Sequence, residues 1–463
     1  MFEFLNGGCG RGRTASVVFG VALYLTGGLA GAQSLEETLV QTYLDNPSLA
    51  AERAALRATD EQVPQALSNW RPTVELSGNY GHRNVDSDFN SGTSTDVTTR
   101  PQSLGLSVTQ PVFRGFRTVA ETKRARNRVA AARASLLSTE QSVLLNAITA
   151  HADVVRSSAI VRLRESNVRV IQRQLEATND RFRVGELTRT DVAQAESRLA
   201  RARADLVRAQ GELESARAQY RDIVGSVPGN LAVPAAPADL PASEAESQTV
   251  AHDNNPGVVR ADFTERAARD NIDLVSGQLW PVLSVTGSAA KDEDVSAANV
   301  ERTVTSVTAN LTVPLYQAGG VSSQVRAAKQ SASQQLSLLA DARREAERAA
   351  TAAWTDLAAA RASIRSFEAE VRAQEVAFEG VQQEANVGSR TVLDVLDAEQ
   401  ELLNARVDLT GARRNEVVAA FELLAAVGRL TAEDLKLPVD YYDPTRNFEA
   451  VEDKIYGTGI STR

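Results

Sequence analysis

The chain has 463 residues, 43% hydrophobic and 24% charged, and a formal net charge of −9. That acidic balance argues against nucleic acid as a partner. Cys9 is the only cysteine and precedes the start of the mature chain inferred below, so disulfides and thiolate metal sites are excluded there.

Residues 1–32 read as a secretory signal peptide. Arg11 and Arg13 form the basic start, Val17–Leu29 is apolar, and Ala30-Gly31-Ala32 is a small-residue cleavage site. A membrane anchor would need a longer apolar run. No later stretch is apolar enough for a transmembrane helix.

Helices are expected over Leu35–Leu44 and Pro47–Asn69, stopped by Trp70-Arg71-Pro72 because the residue before proline avoids the α region. Pro72–Arg83 alternates, with Val74, Leu76, Gly78 and Tyr80 on one face. Asn84–Thr99 reads as a polar loop. Leu104, Leu106 and Val108 form a second alternating strand, closed by Pro111. A helix then runs from Arg117 to Arg183, unbroken by proline. At 1.5 Å per residue it is about 100 Å long. A Val184-Gly185 turn leads to a further helix, and the Pro-rich segment 225–243 reads as a linker.

The second half repeats the first. Val184-Gly185-Glu186-Leu187-Thr188-Arg189-Thr190-Asp191-Val192 returns 203 positions later as Val387-Gly388-Ser389-Arg390-Thr391-Val392-Leu393-Asp394-Val395. Gln110-Pro111-Val112-Phe113 returns as Val313-Pro314-Leu315-Tyr316. Alternating strands around Leu283–Ser288 and Val307–Val313 flank an acidic loop, Lys291–Arg302. A second long helix is expected over Val321–Ala385. The units are 33–224 and 244–430, too long for a solenoid repeat, followed by a polar tail, 431–463, whose end is expected to be disordered.

Val154, Val161, Val168, Leu175 and Phe182 recur every seven residues. So do Leu357, Ile364, Val371, Phe378 and Ala385, and Val192, Leu199, Leu206, Leu213 and Tyr220 after the turn. A sustained seven-residue period implies left-handed supercoiling. Four alternating strands cannot close a barrel by themselves, and an open edge in lipid leaves backbone groups unsatisfied. If the strands span a membrane, several chains must share one barrel.

The duplicated Val-Gly-x-x-Thr-x-x-Asp-Val turn, the Asp394-Val395-Leu396-Asp397-Ala398 run and the proline-ended strand pairs resemble TolC-type outer-membrane exit ducts. The resemblance covers about Leu35 to Leu430. It implies an all-α coiled-coil barrel joined to a transmembrane β-barrel: a homotrimer with four strands per protomer, sharing 12 strands. It also implies a passive duct for type I protein secretion or multidrug efflux, docked to a periplasmic adaptor and an inner-membrane ABC or proton-driven transporter. The duct would sit in outer-membrane lipid and extend into the periplasm.

The same resemblance places Asp394 and Asp397 at the periplasmic constriction. Their spacing of three puts them on one helix face, and rings of carboxylates favour cations. Crowding predicts raised pKa values. Thr391-x-x-Asp394 and Thr188-x-x-Asp191 also have capping-box spacing. Thr190, Asp191 and Arg390 match gate positions, whereas Ala385 stands where the family has tyrosine. Gly185 and Gly388 mark the helix tips that would meet the adaptor. Trp70, Trp280, Phe113 and Tyr316 flank strand ends, either as an interfacial girdle or buried at the helix–strand junction. No catalytic motif and no cofactor or metal site is expected: His82, His151 and His252 lack ligand spacing. The rival reading is a soluble periplasmic coiled-coil scaffold or adaptor.

Overall fold

The computed structural model describes residues 32–89, 93–295 and 299–460. The signal peptide expected at 1–32 lies, but for Ala32, outside the described residues, as does the extreme end of the tail. Ten α-helices and six strands are present among the described residues.

Helix α1 (Leu35–Asp45) opens on a reciprocal Ser34/Glu37 capping box, and α2 (Pro47–Asp60) starts on Asn46 with proline at its first position. The single helix expected to Asn69 is broken: α3 spans Gln62–Ser68. Pro64 has no N–H to donate to the Asp60 carbonyl four residues back, which interrupts the ladder.

Strand β1 (Thr73–Tyr80) is followed by β2 (Arg83–Phe89) and β3 (Thr93–Thr99). These last two correct the polar loop expected over 84–99. They pair antiparallel as a separate ribbon, with Val85 opposite Val97. Ser, Thr and Asn on both faces removed the apolar alternation by which a strand is recognised. The described residues therefore hold six strands, of which four form one sheet.

Strand β4 (Gln102–Arg114) runs through Pro111 instead of ending there, and its register slips between Pro111 and Phe113. A bulge is one of the few places where a sheet tolerates proline. Strands β5 (Val282–Glu293) and β6 (Glu301–Thr312) extend into the expected acidic loop from both sides, where Lys291 bridges Glu293 and Glu301. The sheet order is β1-β4-β5-β6, with every pair antiparallel.

The register sorts the two faces. Val74, Val108, Gly287 and Val307 form one row, and Leu76, Leu106 and Ala289 continue the same face. The opposite face is hydroxylated: Thr109 bonds Thr286 at 3.2 Å and Ser288 bonds Ser306 at 2.8 Å. Among the described residues nothing covers the apolar face. Leu76 is 72% exposed and Val307 78%.

Helix α4 (Arg117–Arg183) and α5 (Arg189–Val224) follow β4. Helices α6 (Glu244–Asn254) and α7 (Pro256–Ser276) precede β5. After β6 come α8 (Gly320–Asn386), α9 (Val392–Ala426) and α10 (Arg446–Val451). Helices α4 and α8 are each 67 residues long. Each packs antiparallel against the helix that follows its turn, and α4 also packs on α7 and α9. The main apolar cluster joins α1, α2, α4, α5 and α9 through Tyr43, Leu49, Leu56, Leu144, Ile148, Tyr220 and Phe421.

At the strand–helix junction Gly115 adopts φ +63, and an added Cβ would stand 2.3 Å from the Gly277 carbonyl oxygen. Phe116 meets Phe113 and Trp280 edge-on, at centroid distances of 5.1 and 6.2 Å. Trp70, Trp280 and Tyr316 are exposed, whereas Phe113 is half-buried against Phe116.

The tail is not a free polar end. Leu430, Ala432 and Leu437 are buried in the main cluster, and Val451 is also buried. The Ala432 N–H donates to buried Glu140 at 2.7 Å, and Asn447 donates to Asp60 at 2.7 Å. Residues 431–451 thus strap the two halves together.

The segment joining the halves is also docked, through His151. The ring Nε2 donates to the Ala232 carbonyl at 2.9 Å, so Nδ1 accepts from the Thr38 hydroxyl at 3.0 Å; Tyr220 completes the chain at 3.1 Å from Thr38. Burial pushes the His151 pKa down, and the Ala232 bond only partly offsets this. The unfolded chain takes up a proton below about pH 6.5 that the folded ring resists. Stability held by His151 is therefore present above that pH and lost as pH falls toward the folded pKa. Glu140, pushed up by burial, titrates with the opposite sign. The His151→Gln protein should lose up to about 1.4 kcal/mol per pH unit of acid sensitivity relative to wild type. Thermal midpoints between pH 7.5 and 5 measure this, and parallel curves for the two proteins would refute it.

Candidate functional site: the paired helix tips

Both tips are built in the same way. Helix α4 ends with Gly185 at φ +82; its N–H donates to Phe182 O at 3.0 Å, and the Glu186 N–H donates to Arg181 O at 2.9 Å. Helix α8 ends likewise at Gly388, φ +82, with Gly388 N to Ala385 O at 3.2 Å and Ser389 N to Glu384 O at 2.9 Å. This is a Schellman closure, which requires the left-handed conformation that glycine adopts without strain. Space around both glycines is open.

The N-cap of the next helix, Thr188 or Thr391, follows three residues after the glycine in each case. The Thr188 N–H and hydroxyl donate to Asp191 Oδ2 at 2.9 and 2.7 Å. The Thr391 N–H and hydroxyl donate to Asp394 Oδ2 at 2.9 and 2.8 Å. Asp394 and Asp191 are thus both helix caps. The Thr391 backbone bond, then its hydroxyl, holds the Asp394 carboxyl below the usual carboxylate range. For Asp191 the Thr188 hydroxyl leads and the backbone bond follows. The rise expected from crowding is therefore reversed for Asp394 within one chain.

Arg390 pairs with Glu384 of its own tip at 2.8 Å, and that partner pushes its pKa up. No ion pair joins Arg390 to Asp191 within the chain. Thr190 is exposed in the first turn of α5, and Ala385 is buried. Asp397 lies one turn past Asp394 and forms an ion pair with Arg198 of α5. Sequence reasoning missed Arg198, because the two partners stand 199 residues apart. Around that pair Ala195, Leu199, Ala202, Val392 and Leu396 form a small buried cluster with Ile171.

An uncovered apolar sheet carried on paired helices about 100 Å long defines the subunit of a membrane-inserted duct. Comparison with known proteins agrees. The outer membrane efflux protein family profile matches residues 38–226 and 249–429. Over 434 residues the chain is 33% identical to the outer membrane efflux protein BepC of Brucella suis biovar 1 (strain 1330), covering 94% of this chain and 93% of BepC. It is 26% identical to the outer membrane protein TolC of Escherichia coli (strain K12), covering 90% of this chain and 87% of TolC. The fold matches the crystal structure of the Campylobacter jejuni CmeC outer membrane channel at a TM-score of 0.78, 13% identity, and 90% and 89% of the two chains. The chain belongs to the outer membrane efflux protein family. It is an outer-membrane exit duct of the efflux and type I secretion kind, extending into the periplasm.

Proposed function

We propose that three copies of this chain share one 12-stranded barrel and one helical barrel, built from two tandem structural repeats per protomer. The observation that supports this best is the four-stranded sheet. Its apolar face crosses strands from both halves along the Val74-Val108-Gly287-Val307 row, and β1 and β6 leave both edges unpaired among the described residues. Lipid covers such a face, but only neighbouring strands satisfy such edges.

In this reading the duct is passive. The Gly185 and Gly388 tips receive a periplasmic adaptor, and an inner-membrane ABC or proton-driven transporter supplies the cargo. Asp394 and Asp397 line the constriction. Arg390 reaches Asp191 across a subunit boundary, since no such link forms within one chain among the described residues, and Thr190 holds a second gate position whose aromatic partner is replaced by Ala385. The soluble scaffold loses ground because a periplasmic coiled coil has no use for an apolar sheet face.

The mature protein should fractionate with the outer membrane as a heat-modifiable trimer on gels. Recovery as a soluble monomer from a periplasmic extract would rule the proposal out.

A further inference from the structure

Helix α9 touches the first half of the chain through two ion pairs among the described residues: Arg198–Asp397 near the tip and Arg414–Asp153 further up. Arg414 is bidentate on Asp153, at 2.8 and 3.2 Å, with both side chains about three-quarters buried. Seventeen residues separate the two contacts on α9, about 25 Å along the helix. The upper pair anchors. The lower pair is more exposed, 31% for Arg198 and 54% for Asp397.

We infer that Arg198 is a gating and selectivity residue: it holds the α9 tip against α5 and neutralises Asp397 at the pore entrance. This rests on the proposed pore-lining role of Asp397. The pair is not an isolated surface contact. Leu199 and Leu396, each adjacent in sequence to a partner, are buried in one cluster that also contains Ala195 and Val392. Apolar contact and ion pair therefore close the same seam. Releasing Arg198 both frees the tip to swing about the Arg414–Asp153 anchor and unmasks a carboxylate.

The 203-residue offset shows why this seam is special. Arg198 corresponds to Glu401 and Asp397 to Gln194. The equivalent contact between α9 of one protomer and α5 of the next would set Glu401 against Gln194, which forms no ion pair. Latched and unlatched seams then alternate around the entrance, and the unlatched ones part first.

The test uses the full-length trimer in planar bilayers, recording open probability and the reversal potential in a KCl gradient. Arg198→Ala should raise open probability about two- to fivefold, as expected for a partly exposed pair, and shift the reversal potential toward stronger cation preference. Arg198→Lys should keep most of both properties. Adding Asp397→Ala to Arg198→Ala should leave open probability where Arg198→Ala put it, because partners in one contact are non-additive, and should bring the reversal potential back toward wild type, because the unmasked carboxylate is gone. Wild-type values in both recordings for Arg198→Ala, with Asp397→Ala alone still shifting the reversal potential, overturn the latch and leave the pore-lining role standing. An unshifted reversal potential in Asp397→Ala overturns both.

Discussion

Replacing Gly115 by alanine should abolish stable assembly at 37 °C. The backbone there has φ +63, and the new Cβ would lie 2.3 Å from the Gly277 carbonyl oxygen and 2.8 Å from Trp280 Cβ. The left-handed conformation alone costs an alanine about 1 kcal/mol. The overlap costs more, because backbone must move at the point where strand becomes helix. Ala318, 203 positions on, separates the two effects: it holds φ +50 on an exposed surface, so an alanine survives the conformation where nothing crowds it. Gly115→Ala should lose several kcal/mol, and Ala318→Gly should change stability by less than about 1 kcal/mol. The heat-modifiable band in membrane fractions reports both. An undiminished Gly115→Ala trimer would show that the junction yields.

The second large effect concerns conduction. Asp394→Asn with Asp397→Asn should weaken block by multivalent cations from the periplasmic side about 100-fold. Each carboxylate contributes on the order of 1 kcal/mol or less to a nearby cation in water, and the trimer would present six. Asparagine at 394 keeps an acceptor for the Thr391 N–H, so the α9 cap survives where alanine would lose it. Because Thr391 holds the Asp394 carboxyl low, block should persist into mildly acidic solution. Unchanged block in the double variant would remove these residues from the constriction. In the same recordings Arg390→Ala should conduct more than wild type, and identical traces would dismiss Arg390 as a gate residue.

Much of this was readable from residue order alone. Helices α4 and α8 end within a residue of where the Val-Gly turns placed their ends, and the two Thr-x-x-Asp spacings became real caps. What escaped has physical reasons. The β2–β3 ribbon has polar groups on both faces and so no hydrophobic period. The tail lies mostly in turns, so its buried anchors Ala432, Leu437 and Val451 are set by no helical repeat. The Arg198–Asp397 pair depends on how α5 meets α9, which no local motif encodes. The titration of Asp394 depends on the donors around it, not on the count of nearby carboxylates.

The bare edges of the sheet also constrain the life of the assembled protein. Along β1 and β6 the outward-pointing amides and carbonyls have no strand partner among the described residues. In hydrocarbon each such group costs several kcal/mol to leave bare. A protomer cannot withdraw from an inserted barrel without exposing a whole row of them. Two populations of ducts, labelled differently and placed in one membrane, should therefore never trade subunits. In the proposed trimer a cell would renew the duct only by making whole new ones, and a damaged copy would condemn its two companions.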